Sequence, residues 1–129
     1  MEHGLKIYYA HCLQIYGTPQ EERDVSLLEL LGFEVYNPNN EDIQQLVQRW
    51  KGMDPDYDVM RKIFLPLVET CDALAYRGVP DGRLPGGVWM EATHADKLNI
   101  PIIELPYGLA WRGMTTDQSR EYLRETGQR

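Results

Sequence analysis

The amino-acid sequence predicts an α/β fold in which an open, mostly parallel sheet of four to five strands carries helices on both faces. Three observations lead to this prediction. Short segments rich in β-branched and aromatic residues alternate with longer segments of helical periodicity. The third strand segment, 72–76, is almost entirely apolar, as expected where both faces of a sheet are covered. With 129 residues the chain has room for one core, so we expect one domain over residues 1–129.

The first half of the chain begins with a strand and a well-marked helix. Segment 5–10 is short, apolar and rich in β-formers, so we predict a strand there. A helix is expected to follow Thr18, a suitable N-cap residue, with Pro19 at its first position and Gly32 at its end. The alternating segment 33–36 predicts the second strand.

Two helices are predicted between the second and third strands. Segment 40–50 places its apolar residues on one helical face. A further helix is expected over 57–70. Because Pro66 lacks a backbone donor, we expect it to kink or restart that helix.

The second half of the chain repeats the pattern of strand, loop and helix. The third strand is followed by a loop over 77–86, rich in glycine and proline, and by a helix over about 87–98. A fourth strand is predicted over 100–105, and a polar C-terminal helix over about 115–126. This order of strands and crossover helices indicates a flavodoxin-like fold.

Composition restricts the classes of partner. The net charge of −7 and the sequence pI of about 4.9 oppose binding to a nucleic acid polymer. No apolar run reaches the roughly 20 residues that cross a bilayer, and the N-terminus lacks a signal-peptide pattern, so we expect no membrane partner. The two cysteines, Cys12 and Cys71, fit a reduced compartment better than a disulfide-stabilised fold, so we predict a cytoplasmic protein. The three histidines lack metal-ligand spacing, so no metal site is predicted.

Candidate chemistry concentrates where ligands bind in such folds, beyond the carboxyl ends of the strands. Segments 8–16, 36–40 and 76–91 are expected to meet there. Gly86 and Gly87 allow a ligand to approach backbone N–H groups at the start of a helix. Glu91 lies about one turn into that helix, so its side chain can point back towards the crevice. Glu91 is therefore the candidate catalytic residue; the alternative is an exposed first-turn acid or salt-bridge partner.

A series of short motifs occurs in order along residues 5–105. The motifs are IYYA at 7–10, GFEVYNP at 32–38, CDAL at 71–74, GVWMEATHA at 87–95 and NIPII at 99–103. In this order they resemble the nucleoside 2-deoxyribosyltransferase superfamily, which includes 2′-deoxynucleoside 5′-monophosphate N-hydrolases. The resemblance implies an enzyme that acts on an N-glycosidic bond and requires no metal or organic cofactor.

The resemblance also implies roles for two residues. In that superfamily the glutamate after the glycine-containing loop attacks the anomeric carbon of deoxyribose and releases the base, and Glu91 matches that position. A tyrosine in the first strand orients the carboxylate, and Tyr8 matches it. Members commonly assemble so that a neighbouring subunit completes the site, which implies a homo-oligomer, either a dimer or larger. The aromatic segment 107–111 is the predicted contact.

Two departures from the family pattern affect the substrate site. An aspartate that handles the base is expected shortly before the glycines, but Arg83, Leu84 and Pro85 stand there, and Asp81 can replace it only if the loop folds back. The phosphate-binding serines of the hydrolases are absent between Arg77 and Glu91, so Arg77 and Arg83 are the candidate phosphate ligands. The remaining predicted substrate-binding residues are His11, Asn37, Gly86, Gly87 and Trp89.

Competing functional hypotheses follow from these residues. In the first, the protein cleaves or transfers at the N-glycosidic bond of a deoxynucleoside or its 5′-monophosphate through Glu91. In the second, it is a non-catalytic protein that binds a nucleotide or nucleoside metabolite in the same crevice. A third hypothesis is cleavage of a nicotinamide–ribose bond. Catalysis by Cys12 with His11 is disfavoured because adjacent residues are poorly placed to act as nucleophile and base.

Overall fold

The computed structural model describes residues 4–106 and 113–128. Its strands are β1 (Lys6–Ala10), β2 (Glu34–Tyr36), β3 (Ala73–Tyr76) and β4 (Ile102–Glu104). They form an all-parallel sheet in the order β2-β1-β3-β4. This order matches the first four strands of the flavodoxin-like arrangement 2-1-3-4-5, and it confirms the predicted α/β fold. The predicted subunit contact at 107–111 lies outside the described residues.

The helices that cover this sheet begin at the capping residues that the sequence indicates. Helix α1 (Pro19–Leu30) starts after Thr18, whose hydroxyl accepts from the backbone N–H of Glu21. Helix α2 (Glu41–Met53) starts after Asn40, whose side chain accepts from the backbone N–H of Ile43 at 3.0 Å. These caps satisfy backbone donors that have no partner within a helix.

The later helices are α3 (Leu65–Glu69), α4 (Gly86–Lys97) and α5 (Thr116–Glu125). Thr115 and Gln118 form the capping box expected at the start of α5. None of the helices in the described part of the chain is long and apolar enough to cross a membrane.

Pro66 has a more specific effect than the predicted kink. A π-helical turn, Met60–Phe64, comes directly before α3, and Pro66 lies in the first turn of α3. Proline cannot donate to the carbonyl four residues earlier and its ring crowds that carbonyl. A wider turn before the proline relieves this conflict. Met60 and Phe64, at the two ends of this turn, both line the cavity described below.

Alternate residues of β1 build the two layers of the core. Tyr8 and Ala10 face one layer, where they pack with residues of α3 and α4. Ile7 and Tyr9 face the other layer, where they pack against Leu28 of α1. Helices therefore cover both faces of the sheet. Leu28 is fully buried, so its truncation to alanine is expected to cost about 2–5 kcal/mol.

Candidate active site

Glu91 lies buried at the point where α4 crosses the carboxyl end of β1. Its residue exposure is 5%, and the hydroxyl of the fully buried Tyr8 donates a hydrogen bond to its Oε2 atom. The parallel sheet brings Tyr8 to this edge, and the direction of α4 brings Glu91 back over it. Glu91 is therefore not an exposed first-turn acid.

Burial dominates the electrostatics of this pair. It raises the pKa of Glu91 to about 7, although the hydrogen bond from Tyr8 acts in the opposite direction. Burial and the adjacent Glu91 charge raise the pKa of Tyr8 above its ordinary value, so Tyr8 remains a protonated donor. At neutral pH the Glu91 carboxyl thus populates both its ionised and its protonated form.

Glu91 lines a cavity of about 390 Å³, which is within the size range of small-molecule sites. The cavity lies between the segment after β1, the start of α4, helix α2 and the π-helical turn. Its other polar lining residues are His11, Cys12, Gln14, Tyr16, Gln44 and Lys51.

Tyr16 contributes a second hydroxyl group to this cavity. Burial raises the pKa of Tyr16, and the negative charge of nearby Glu91 raises it further. Within the described part of the chain its hydroxyl makes no hydrogen bond, in contrast to that of Tyr8. Tyr16 is therefore available to bind a polar group of a ligand close to Glu91. The predicted segment 8–16 includes it, but the residue itself carries no recognisable signal.

His11 lines the cavity with both ring nitrogens engaged by the protein. Its Nδ1 lies 3.0 Å from the carbonyl oxygen of Tyr9, and its Nε2 lies 2.7 Å from Oε2 of Glu21. Burial lowers the pKa of His11, whereas the Glu21 carboxylate opposes that shift. The ring also stacks on Tyr9, with centroids 3.7 Å apart. His11 is therefore a fixed part of the wall and offers no nitrogen to Cys12 or to a ligand.

Glu21 anchors the loop that carries Tyr16. Besides His11, its carboxylate accepts from the backbone N–H of Gly17 at 3.1 Å and from the Asn39 side chain at 3.1 Å. Burial alone would raise the pKa of Glu21, but these hydrogen bonds lower it below its ordinary value. This ionised carboxylate joins the loops after β1 and β2.

Arg77 does not line the cavity that Glu91 lines. Its Nε and Nη2 atoms donate to the two oxygens of buried Asp24 at 2.5 Å and 2.7 Å. Tyr9 donates to the same carboxylate at 2.5 Å. Arg77 also borders a neighbouring depression, which shares Cys12 and Gln14 with the cavity. The guanidinium thus neutralises a buried carboxylate on the opposite side of β1.

The structure brings only part of the predicted substrate-binding set to the cavity. His11 and Gly87 line it together with Glu91, whereas Gly86 is exposed at the first position of α4. Trp89 is 57% exposed and does not line the cavity.

The other predicted substrate-binding residues make local contacts elsewhere. Asn37 accepts from the backbone N–H of Asn39 at 2.9 Å, as a turn residue does, and does not line the cavity. Asp81 and Arg83 form an exposed pair within their own loop, with Nε and Oδ2 2.8 Å apart.

The predicted substrate-binding residues include none from one wall of the cavity. Helix α2 and the turn that follows it supply Gln44, Val47, Lys51, Val59, Met60 and Phe64. The apolar spacing predicts the helices but not their orientation over the carboxyl edge. That orientation depends on tertiary packing such as the approach of Met60 to Gly87, where an added Cβ would lie 3.1 Å from Cε of Met60.

Comparison with family models, with curated proteins and with solved structures finds no match to this chain. Among the described residues, no group of three or more His, Cys, Asp or Glu side chains is arranged to hold a metal ion. The chemistry of the site therefore has to be inferred from its own residues. They combine a buried carboxyl, a hydroxyl that orients it, a second hydroxyl with no hydrogen bond to any described residue, and an apolar wall.

Proposed function

We propose that this protein cleaves or transfers at the N-glycosidic bond of a deoxynucleoside or a deoxynucleoside 5′-monophosphate, with Glu91 as nucleophile. The observation that carries the proposal is the buried Tyr8–Glu91 pair at the cavity. The resemblance of the ordered motifs adds support, because it assigns the nucleophile and its orienting tyrosine to the same two residues. As further proposals, the protein acts in the cytoplasm and forms a homo-oligomer.

The geometry suits attack by one oxygen of the carboxylate. The hydroxyl of Tyr8 holds Oε2, which leaves Oε1 to face a ligand. Oε1 attacks the anomeric carbon, a C–O ester bond forms, and the C–N bond breaks with its electron pair leaving on the base. Water or a second base then attacks the same carbon and releases Glu91 as a carboxylate. Water gives hydrolysis, whereas a base gives transfer.

Only the ionised form of Glu91 can attack. Because burial raises its pKa to about 7, we expect the first step to accelerate as pH rises through that value. The free hydroxyl of Tyr16 lies in the same cavity and is suited to bind a sugar hydroxyl.

The test is incubation of the purified protein with a panel of deoxynucleosides and their 5′-monophosphates, followed by chromatography for free base. We expect base release by the wild type and its loss in Glu91→Gln. Glu22→Gln is the matched control, since Glu22 is exposed on α1 and does not line the cavity. Intact mass spectrometry after an acid quench should detect a deoxyribosyl group on the wild type. Addition of a second base distinguishes transfer from hydrolysis.

Equal behaviour of the wild type and Glu91→Gln across the panel would refute the enzymatic proposal. Thermal stabilisation of the wild type by a nucleotide, without any base release, would instead establish the non-catalytic binding protein.

A further inference from the structure

The face of α2 that lines the cavity carries two hydrogen-bonding side chains on either side of an apolar one. Gln44, Val47 and Lys51 all line the cavity, and their spacing of three and four residues places them on one helical face. The π-helical turn contributes Met60 and Phe64 to the same wall. This wall combines apolar surface with a polar edge.

A nucleobase is the part of a nucleoside that fits such a wall. Its two faces are apolar and stack on side chains such as Phe64, whereas its edge carries hydrogen-bonding groups. The sugar must lie at Glu91 if the proposed function holds, and Glu91 belongs to α4 rather than to this wall. The base then extends towards α2.

The polar edge of the wall carries one group that only donates hydrogen bonds and one that can accept them. Lys51 is exposed, makes no ion pair or hydrogen bond within the described residues, and is the only ammonium or guanidinium group among the described lining residues. An ammonium group donates and cannot accept. Gln44 donates one N–H of Nε2 to the carbonyl oxygen of Pro38 at 3.3 Å, and its Oε1, which accepts, makes no hydrogen bond within the described residues.

We infer that this cavity selects bases that carry a ring carbonyl beside a ring N–H group, with Lys51 donating to the carbonyl and Gln44 accepting from the N–H. The class comprises 6-oxopurines and 2,4-dioxopyrimidines. Adenine and cytosine carry an amino group in place of that carbonyl, and an amino group cannot accept a hydrogen bond from Lys51. The two positions are about 10 Å apart along α2, a span that two long side chains and a base edge can bridge. The inference rests on the proposed function for the identity of the ligand as a nucleoside.

The test compares ligands that differ only in this pattern. Calorimetric binding of deoxyinosine and deoxyadenosine 5′-monophosphates is measured on Glu91→Gln, so that turnover does not interfere, and base release is measured on the wild type. We expect the oxo base to be preferred about tenfold in both measurements, the size of effect typical of one hydrogen bond to a charged group.

Two variants test whether Lys51 causes the preference for the oxo base. Lys51→Met keeps the length of the stem without the donor, and it should weaken binding of the oxo base about tenfold while leaving the amino base unchanged. Arg49→Met is the matched control, because Arg49 is an exposed cation of the same helix that does not line the cavity. It should change neither affinity.

The outcomes separate this inference from the proposed function. Equal affinity for the two bases, a preference for adenine, or no detectable binding of either would overturn the inference. So would an effect of Lys51→Met on monophosphates but not on the corresponding nucleosides, because Lys51 would then bind phosphate. Base release without an oxo preference refutes only the inference. Oxo-selective binding without base release supports the inference and refutes the proposed catalysis.

Discussion

Tyr8 and Tyr9 are neighbours in β1, and each donates a hydrogen bond to a buried carboxylate, on opposite faces of the sheet. The surroundings of the two carboxylates differ. Tyr8 donates to Glu91, and Tyr9 donates to Asp24. All four residues are buried. Asp24 is also paired by two hydrogen bonds with Arg77, whereas among the described residues no cation pairs with Glu91. Only Glu91 lines the cavity.

Under the proposed function, this difference separates a structural carboxylate, Asp24, from the nucleophile, Glu91. A buried carboxylate is tolerated when a charged partner and hydrogen bonds compensate its desolvation, which is the situation of Asp24. Glu91 has a single hydroxyl donor and an open cavity, so its ionised form is destabilised and its pKa lies at about 7. In the proposed reaction, a carboxylate that is costly to ionise in the protein gains by forming a bond to substrate.

The largest expected effect is a loss of activity, and we expect it on substitution of Glu91 but not of Asp24. Glu91→Gln keeps an acceptor for Tyr8 but removes the nucleophile, so base release should fall on the order of 10⁴-fold or more. Chromatographic rates under single-turnover conditions measure this. Asp24→Asn, assayed at a temperature where it is folded, should retain activity within about tenfold of wild type. Equal losses in the two variants would remove the distinction.

The second largest expected effect is a loss of stability on substitution of Asp24. Asp24→Asn removes the buried charge that accepts two hydrogen bonds from Arg77, which should lower the free energy of unfolding by about 3–5 kcal/mol. Urea denaturation measures this. Asp58→Asn removes an exposed carboxylate that lies 3.6 Å from Arg61, and it should cost less than about 1 kcal/mol. A loss below about 1 kcal/mol in Asp24→Asn would show that the charge of Asp24 contributes little to stability.

Much of this comparison could not be predicted from the sequence alone. The strand and helix pattern predicts the parallel sheet, because the short apolar strands, caps and glycine stops are all local signals. The same pattern places Tyr8 and Glu91 at one edge. It does not reveal that Arg77 turns towards Asp24 instead of the cavity, because either arrangement satisfies the local preferences of its loop.

The wall formed by α2 and the π-helical turn could not be predicted from the sequence either. In the sequence, Lys51 and Gln44 look like any polar residues of an amphipathic helix. Only the orientation of that helix over the sheet edge shows that they line the cavity. That orientation depends on contacts between distant segments, and no periodicity reports them. Pro66 was the one local signal near this wall, and it predicted a disturbed helix without indicating what the disturbance positions.

A smaller expected effect is on the pH dependence of stability. The pKa of Glu91 rises from its ordinary 4.5 to about 7 on folding, so the folded protein binds this proton more tightly than the unfolded chain. The resulting stabilisation is present in full below pH 4.5 and is lost as pH rises through 7. Glu91→Gln does not titrate. Relative to wild type, it should therefore gain about 3 kcal/mol between pH 4 and pH 9.

Thermal and urea unfolding at a series of pH values measures this gain. The matched control is Glu22→Gln, whose stability difference from wild type should change little with pH because Glu22 is exposed. A constant difference between the wild type and Glu91→Gln over the whole range would show that Glu91 ionises without cost.

The smallest expected effects come from the two tyrosines, and they test the comparison most directly. Tyr8→Phe and Tyr9→Phe each delete one buried hydroxyl donor to a carboxylate, and each should cost about 1–3 kcal/mol of stability. Only Tyr8→Phe removes the hydrogen bond that lowers the pKa of Glu91. Its pH–rate profile should therefore move to higher pH, whereas that of Tyr9→Phe should coincide with wild type. If both profiles move together, the two faces of β1 are coupled and Asp24 contributes to the reactivity of Glu91.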